Sequence, residues 1–292
     1  MALATIGHRF LPTLMSNSFI TAGVMGWPVA HSRSPVIHNY WLRHYGIKGG
    51  YGLFPVAPEN LGQAIRGIQA LGLAGSNITI PHKVDAMSHM DWIHPLAQRM
   101  GAINTIVLQA DGALHGYNND GFGFIESLRE AQPTWRADAG PVVVLGAGGA
   151  SRAIVVSLID AGAQEIRLIN RSRDKADAMA EEFGHPVTAL DWSERENALS
   201  GAALLVNTTN QGMHGEPALD IDLTQLPTIA LVSDAIYIPL ETPLLQAARI
   251  RGNTTVNGLG MLIHQARPAF EAWFGILPDA TPELYQTVVA TL

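Results

Sequence analysis

The sequence predicts an α/β protein of two domains, in which the first domain is split by the second. Three observations predict this. Strand and helix patterns alternate along most of the 292 residues; an aperiodic segment at 130–141 separates two such series; and an amphipathic segment after Gly258 has no natural place in the second series. The predicted bounds are 1–122 plus 259–292 for the split domain and 123–258 for the inserted one.

The first series runs from Phe19 to about Pro81, and its alternation favours an open α/β sheet. Strand, helix, strand, helix and strand are expected, in that order, at FITAGVMG, PVIHNYWLRHYG, YGLFPVA, ENLGQAIRGIQALG and SNITIP. A hairpin of NTIVLQ and ALHGYN follows, joined at Asp111-Gly112, a dipeptide suited to turns that need positive φ. We expect this hairpin to form an edge of the sheet.

The second series follows EAQPTWRADAGP, a segment that mixes proline, glycine and charge and that we interpret as a linker. The run PVVVLGAGGASRAIVVSLIDAGAQEIRLIN predicts strand, glycine turn, helix, glycine stop and strand, and ALLVNT and IALVSDAIY predict further strands. This order is typical of a Rossmann-type, doubly wound nucleotide domain. The final MLIHQARPAFEAWFG predicts a long helix, broken or bent near Pro268, that packs back on the first domain.

Composition narrows the classes of function. The formal charge of −7 argues against nucleic-acid or anionic-membrane partners, and the absence of cysteine excludes disulfides and thiolate chemistry. The N-terminal MALATIGHRFLPTLMSN lacks the apolar core of a secretion signal, and no apolar run is long enough to predict a membrane span. A cytoplasmic protein is therefore expected. The 11 histidines include no HExxH, so no metal site is predicted.

The glycine-rich run VVVLGAGGASRA places Gly146, Gly148 and Gly149 between a buried strand and a helix. A lone GxGxxG is weak evidence, and here Ser151 stands at the third glycine of that fingerprint. The strand before it and the helix after it are nevertheless what binding of an anion at a helix N-terminus requires. We therefore expect a pyrophosphate site rather than a plain strand-to-helix turn.

The end of the next strand decides which dinucleotide is expected. At this position, 24 residues beyond Gly146, an NAD site usually carries an acid for the ribose hydroxyl. Here the strand ends in Asn170-Arg171, and Arg173 and Lys175 follow. Each charged hydrogen bond to a phosphate is worth roughly 1.5–3 kcal/mol, whereas an acid would repel it. The three cations therefore predict NADP rather than a solvated helix start.

Three short segments of the first domain are candidates for chemistry, although each has a plainer explanation. Ser32 and Ser34 precede Pro35, so Ser34 is a plausible helix N-cap, and two hydroxyls beside free helix amides also make a carboxylate site. Lys83 follows a strand end, where α/β sheets meet ligands, but a lone lysine there is usually solvated. Asp120 begins a helix and could be an N-cap only.

Taken together, these segments resemble the shikimate dehydrogenase family from Ala22 to about Leu277. Eight blocks occur in the family's order, namely GWPVAHSRSPVIHN, NITIPHK, GAINT, NNDGFG, VLGAGGASRA, NRSRDKA, DAIYIPLETPLL and NGLGMLIHQA. The resemblance implies NADP-linked, reversible reduction of 3-dehydroshikimate to shikimate, a step of aromatic amino acid biosynthesis on the chorismate pathway. It implies substrate in the split domain, cofactor in the inserted one and hydride transfer across the cleft between them. Monomer and homodimer both remain open.

The resemblance also implies residue roles by motif position. Lys83 and Asp120 would flank the reacting oxygen, with Lys83 as the leading acid/base candidate and Asp120 holding it in place; whether one residue or the coupled pair moves the proton stays open. The other residues expected at the substrate are Ser32 and Ser34 for its carboxylate, and Asn77, Thr79, Asn104, Tyr237 and Gln265 for its ring hydroxyls or carbonyl. The residues expected at NADP are Gly146, Ala147, Gly148, Gly149 and Ala150 for the pyrophosphate, Asn170, Arg171 and a cation at Arg173 or Lys175 for the ribose phosphate, and Thr209, Gly258 and Met261 near the ribose and nicotinamide.

Two positions depart from the family's pattern, and two other functions remain as alternatives. Asn119 stands where threonine is more frequent before the aspartate, and Lys175 stands where arginine is common. The segment before Phe19 extends beyond the usual start and has no predicted role.

A quinate or dual quinate/shikimate dehydrogenase, using either NADP or NAD, is the first alternative; Arg171 argues against NAD but not against quinate. A non-catalytic sensor of NADP or a metabolite is the second, and it predicts a lost lysine or aspartate, which this chain retains.

Overall fold

The computed structural model describes residues 19–292, which divide into two compact units. One unit is Asp120–Leu262, and the other comprises 19–119 together with Ile263–Leu292. Each unit contains its own six-stranded sheet. The sequence-based statements about the segment before Phe19 lie outside the described residues. The two-domain α/β class is confirmed.

The unit that starts at Phe19 alternates strands and helices in its first half, as predicted. Its elements are β1 (Ile20–Gly26), α1 (Ser34–His44), β2 (Gly49–Pro55), α2 (Leu61–Ala70), β3 (Gly75–Ile78), β4 (Trp92–Ile93), α3 (Pro95–Met100), β5 (Thr105–Leu108) and β6 (Leu114–Tyr117). On α2 the buried side chains are Leu61, Ile65 and Ile68, which lie on one face at helical spacing. The helix therefore packs through the face that its sequence pattern predicts.

The sheet of this unit has the order β2-β1-β3-β5-β6-β4. β1 pairs in parallel with β2 and β3, and β5 and β6 add antiparallel strands. The predicted hairpin forms, but it is not the edge of the sheet, because β4 pairs in parallel with β6 on its outer side. A strand of two residues carries no periodicity, so its sequence could not predict it.

The second unit is a parallel, doubly wound sheet in which α-helices form three of the five connections between successive strands. Its elements are α4 (Asp120–Ala131), β7 (Val142–Leu145), α5 (Gly149–Asp160), β8 (Ile166–Ile169), α6 (Arg173–Phe183), β9 (Val187–Leu190), β10 (Leu204–Asn207), β11 (Leu231–Asp234), α7 (Pro243–Arg251) and β12 (Thr255–Val256). The strand order is β12-β11-β10-β7-β8-β9, and every neighbouring pair is parallel. The order reverses between β7 and β10, at the carboxyl ends of which such sheets bind ligands.

The chain then enters α8 (Gly258–Phe274) and α9 (Pro282–Val289). Near Pro268 a break or a bend is predicted, and the break does not occur, since α8 continues through this residue. The second half of α8 packs on the unit that contains β1 to β6, as predicted: the Trp273 indole donates to the Ile106 carbonyl at 3.1 Å, and the ring of Phe270 lies 5.4 Å from that of Trp41. The division of α8 between the two units falls after Leu262.

Candidate active site

The glycine turn after β7 is closed by a serine. Gly146 has a φ of 110°, which L side chains rarely adopt, and a Cβ here would collide with the Thr208 hydroxyl. The fully buried Ser151 donates its hydroxyl to the Gly146 carbonyl at 2.6 Å. Ser151 thus replaces the third glycine of the fingerprint with a hydrogen bond that holds the turn. The predicted order of strand, glycine turn and helix is confirmed.

Gly148 and Gly149 lie at the N-terminus of α5, where the first backbone amides have no partner within the helix. A Cβ on either glycine would meet no atom of residues 19–292 within 4 Å, and the φ of Gly148 is an ordinary −98°. Neither packing nor backbone conformation of the described chain therefore requires glycine here. Both positions leave room for a ligand at the helix amides, and a pyrophosphate would fit there.

The end of β8 is joined to this turn by Asn170. The Ala147 amide donates to Oδ1 of Asn170 at 3.2 Å, and Nδ2 of Asn170 donates to the Ser172 carbonyl at 2.8 Å. An aspartate could accept the first bond but could not donate the second. A neutral side chain therefore occupies the position at which an NAD site usually carries an acid.

The three cations behind Asn170 have different surroundings. The Arg173 guanidinium bonds to Asp177 at 2.8 Å and to Asp191 at 3.0 Å, and these hydrogen bonds raise its pKa above the usual value. Arg171 and Lys175 are exposed. Arg173 is thus already paired with carboxylates of its own unit, which leaves Arg171 and Lys175 as the better candidates for an anionic ligand.

A buried polar network at the ends of β10 and β11 was missed by the sequence analysis. Asn207 accepts at Oδ1 from the amide of Thr209 at 3.0 Å and from its hydroxyl at 2.7 Å, and it donates to Asp234 at 3.1 Å. Asp234 also accepts from the Ile236 amide at 3.1 Å and the Thr242 hydroxyl at 2.7 Å. Burial raises the pKa of the Asp234 carboxyl, although these donors act in the opposite direction. The network fixes the backbone at Thr209 and Ile236.

The segment that carries Tyr237 touches the start of α8. The Gly258 amide donates to the Ile236 carbonyl at 2.9 Å, and a Cβ on Gly258 would collide with the Ala235 carbonyl. This contact explains the glycine. Tyr237 and Met261 are both half-buried.

Ser32 and Ser34 differ from their predicted arrangement. α1 begins at Ser34 with Arg33 at its N-cap, so the prediction that Ser34 caps this helix is wrong. The Ser34 amide donates instead to Oγ of Ser32 at 3.3 Å. Ser32 therefore lies outside the helix and satisfies one of its free amides, while Ser34 lies within the first turn.

Lys83 follows a tight turn after β3, in which the His82 amide donates to the Thr79 carbonyl at 3.0 Å. Lys83 is half-buried, and its carbonyl accepts from the Ile103 amide at 2.9 Å. This bond places the lysine backbone next to the residue that precedes Asn104. Asp120 is the first residue of α4, as expected, and belongs to the unit Asp120–Leu262.

Asn77 lies in a chain of buried hydrogen bonds that continues through β5. Its Oδ1 accepts from the Tyr51 hydroxyl at 2.6 Å. Its Nδ2 donates to the Asn104 carbonyl at 3.0 Å and to the Thr105 hydroxyl at 3.1 Å. Nδ2 of Asn104 in turn donates to Oε1 of Gln265 at 3.3 Å. The structure thus joins Asn77, Asn104 and Gln265, and adds Tyr51 and Thr105, which the sequence analysis did not assign.

Beneath this network lies His38, fully buried on α1. Its ring stacks on that of Tyr51 at 4.1 Å with an interplanar angle of 5°. Burial lowers the pKa of His38 to about 3, and the nearby Asn77 carboxamide offsets only part of this. Burial also raises the pKa of Tyr51 well above its usual value. Both rings are therefore neutral at physiological pH, and the Tyr51 hydroxyl keeps the proton that it donates to Asn77.

Residues 19–292 contain neither a metal-binding cluster nor a membrane-spanning helix. No group of three or more His, Asp or Glu side chains in this range is arranged to hold a metal ion. No helix in the same range has the length and apolar character needed to cross a bilayer.

An all-parallel sheet with this strand order, a glycine turn at the point where the order reverses, and a cationic end on the next strand define a dinucleotide-binding unit. The same chain also contains a second α/β unit with a lysine and buried carboxamides. The two units together define the class of two-unit, nucleotide-dependent oxidoreductases.

Comparisons with known proteins specify the family. The model of the shikimate dehydrogenase substrate binding domain matches 24–106, that of shikimate / quinate 5-dehydrogenase matches 130–214, and that of the shikimate 5'-dehydrogenase C-terminal domain matches 258–282. A shikimate dehydrogenase (NADP(+)) of Paramagnetospirillum magneticum is 52% identical over 94% of this chain and 100% of that protein. The chain belongs to the shikimate dehydrogenase family.

Two solved structures share the fold. Shikimate 5-dehydrogenase from Thermus thermophilus, in complex with NADP(H) and shikimate, is 36% identical, with a TM-score of 0.83 over 94% of this chain and 100% of that chain. Quinate dehydrogenase from Corynebacterium glutamicum, in complex with NAD, is 30% identical, with a TM-score of 0.86 over 94% of this chain and 100% of that chain. The fold is thus shared by a shikimate dehydrogenase solved with NADP(H) and a quinate dehydrogenase solved with NAD.

Proposed function

We propose that this chain is an NADP-dependent shikimate dehydrogenase that interconverts 3-dehydroshikimate and shikimate. The observation that carries the proposal is the backbone bond between Lys83 and Ile103, at 2.9 Å. It joins the candidate proton donor to the segment that holds Asn104, immediately before β5, and hence to the buried carboxamides that can bind the hydroxyls of a polyol acid.

The cofactor side supports NADP. The open space around Gly148 and Gly149 admits a pyrophosphate to the amides of α5. Asn170 places no negative charge at the strand end, and the exposed Arg171 can meet a ribose phosphate there. Thr209, held by Asn207, and the segment up to Gly258 are the candidates for the remaining cofactor contacts. NADPH, when bound, supplies the hydride.

The chain's own residues would bind the substrate and deliver the proton. Ser32 and Ser34 offer hydroxyls to the substrate carboxylate. The Nζ ammonium of Lys83 donates a proton to the carbonyl oxygen as that carbon is reduced, and it stabilises the negative charge developing on the oxygen. In the oxidative direction the neutral amine takes the proton back. Asp120, Thr79, Tyr237 and Gln265 are the remaining residues assigned to the substrate.

The assignment of domains follows the same proposal. Residues 1–122 with 259–292 would bind the substrate, and 123–258 would bind NADP. The cytoplasmic location and the choice between monomer and homodimer stay predictions.

Quinate is the alternative substrate, and the structural likeness to a quinate dehydrogenase with NAD favours keeping it. Purified protein is therefore assayed for formation of reduced dinucleotide with shikimate or quinate and with NADP or NAD, in all four pairs. We expect fast turnover with shikimate and NADP only. Comparable turnover of quinate or use of NAD would assign the dual enzyme, and no turnover in any pair would contradict an enzyme and favour a sensor.

A further inference from the structure

We propose that Thr105 is a positioning residue: its buried hydroxyl holds the carboxamides of Asn77, Asn104 and Asn119 in the orientation that the substrate meets. The proposal rests on the proposed function, because the site that these carboxamides form is the one assigned to shikimate. Thr105 itself lies on β5 and is 1% exposed.

The Thr105 hydroxyl takes part in three hydrogen bonds with three different asparagine side chains. Nδ2 of Asn77 donates to it at 3.1 Å, and Nδ2 of Asn119 donates to it at 3.0 Å. The hydroxyl donates to Oδ1 of Asn104 at 2.9 Å. A hydroxyl has one proton and two lone pairs. All three are used here, so the oxygen of Thr105 is saturated by the network.

Backbone groups fix which atoms of this network donate and which accept. A backbone carbonyl can only accept, and a backbone amide can only donate. The Asn104 carbonyl can only accept, so the atom of Asn77 at 3.0 Å from it is the amide nitrogen. The Asn119 amide can only donate, so the atom of Asn104 at 3.0 Å from it is the carbonyl oxygen. With both carboxamides oriented, and with Nδ2 of Asn119 donating to it, the Thr105 hydroxyl donates its proton to Oδ1 of Asn104.

This orientation decides whether each carboxamide presents its oxygen or its N–H groups to a ligand. Both N–H groups of Asn77 are used within the protein, so Asn77 can meet a ligand only as an acceptor through Oδ1, where Tyr51 already donates. Asn104 has its oxygen turned to Thr105, so it presents N–H groups toward Gln265. A substrate hydroxyl that donates to one asparagine and accepts from the other matches this pair, whereas a rotated Asn104 would present the wrong atom.

Asn119, which stands where the family more often has threonine, also belongs to this network. Its side chain donates to Thr105, and its backbone amide donates to Asn104. Asn119 is 5% exposed. The asparagine at this position therefore serves as a second donor to the Thr105 hydroxyl and reinforces the orientation of that hydroxyl toward Asn104.

The test compares Thr105→Val, which keeps the shape and removes the hydroxyl, with Thr105→Ser, which keeps the hydroxyl. Kinetic constants for shikimate and NADP are measured beside the melting temperature. We expect T105V to lower kcat/KM for shikimate by about 100-fold, since misplacing groups that orient a substrate has effects of this order. The KM for NADP should stay within about twofold of wild type. T105S should stay within about threefold of wild type.

Thr281→Val is the matched control. The Thr281 hydroxyl also makes two hydrogen bonds in the same unit, with the Tyr40 hydroxyl at 3.1 Å and the Leu284 amide at 3.3 Å. T281V should lower the melting temperature without changing kcat/KM for shikimate. The proposal is overturned if T105V keeps wild-type kcat/KM, or if T105S falls as far as T105V. If T105V does not fold, Thr105→Cys replaces it. T105C carries a sulfur atom where T105S carries the hydroxyl oxygen. Equal kcat/KM for shikimate in T105C and T105S overturns the proposal.

Side-chain orientation is also measured without turnover, which separates this proposal from the proposed function. In isotope-labelled protein, the carboxamide protons of Asn77 and Asn119 should exchange more slowly with solvent in wild type and T105S than in T105V. Unchanged exchange in T105V overturns the positioning role even if shikimate is the substrate. Failure of wild type to turn over shikimate would refute the proposed function alone, and the exchange rates would still decide on Thr105.

Discussion

The backbone amide of Ala147 donates a hydrogen bond to Oδ1 of Asn170 at 3.2 Å. Through this bond the glycine turn after β7 and the end of β8 are held as one surface. The Asn170 carboxamide is occupied by Ala147 and by the Ser172 carbonyl. The charged residues beside Asn170 are the candidates for a strong contact to a ribose phosphate.

Arg171→Asp should weaken NADP far more than NAD. The change removes a cation and adds an acid where the ribose phosphate is expected, and loss of a charged hydrogen bond corresponds to about a tenfold to hundredfold loss of affinity. Titrating both dinucleotides against the variant measures the preference. Arg173→Ala is the control, because Arg173 is paired with Asp177 and Asp191; its effect on NADP should be smaller. A larger effect from R173A than from R171D would contradict the assignment.

Gly148→Ala and Gly146→Ala should separate cofactor binding from folding. A methyl at 148 meets open space in the described structure, so G148A should melt like wild type but bind NADP about tenfold or more weakly because the methyl occupies ligand space. G146A should lose stability, since its φ of 110° and its contact with Thr208 exclude a side chain. Dinucleotide titration and thermal melting report the two effects. Wild-type NADP affinity in G148A would refute the pyrophosphate site.

Lys83→Ala should lower kcat by about 100-fold or more while leaving NADP affinity nearly unchanged, because general acid–base catalysis contributes about that much. Steady-state kinetics and dinucleotide titration measure the two quantities. Lys48→Ala, at an exposed lysine of the same unit, provides the control and should keep wild-type kcat. If K83A lost NADP affinity and kept kcat, Lys83 would belong to the cofactor site instead.

His38→Phe should make stability less dependent on pH. The pKa of His38 is lowered from 6.5 to about 3 by burial, so the unfolded chain binds its proton more readily than the folded one. Its contribution to stability is fully present above pH 6.5 and is lost as the pH falls toward 3, at about 1.4 kcal/mol per pH unit. H38F keeps a ring stacked on Tyr51 and removes this titration.

Urea unfolding of wild type and H38F at several pH values across this interval measures the slope. The free energy of unfolding should fall less steeply in H38F as the pH is lowered. His44→Phe, on the exposed part of the same helix, shows how much of the change comes from removing any histidine. Equal changes of slope in H38F and H44F would mean that the burial of His38 does not make the free energy of unfolding depend on pH.

Elements that depend on local pattern could be predicted from the sequence. The strands around the glycine turn are continuous apolar runs, and the amphipathic spacing of α2 and α8 is visible within one helix. The helix start at Asp120 follows from the residues beside it. By contrast, β4 is too short to have a period, and α8 continues through Pro268 because packing along the helix outweighs the preference of one residue.

The sequence by itself determined the α/β class, the glycine turn, the cationic strand end and the motif positions of Lys83, Asn104 and Asp120. Tertiary structure alone decided that Arg173 pairs with Asp191, that Tyr51 donates to Asn77 across 26 residues of chain, and that Asn207 binds Asp234 across 27. It also placed Thr105 among three asparagines. The physical reason is that periodicity and turn chemistry are local, whereas a buried polar group must find its partner wherever folding brings one.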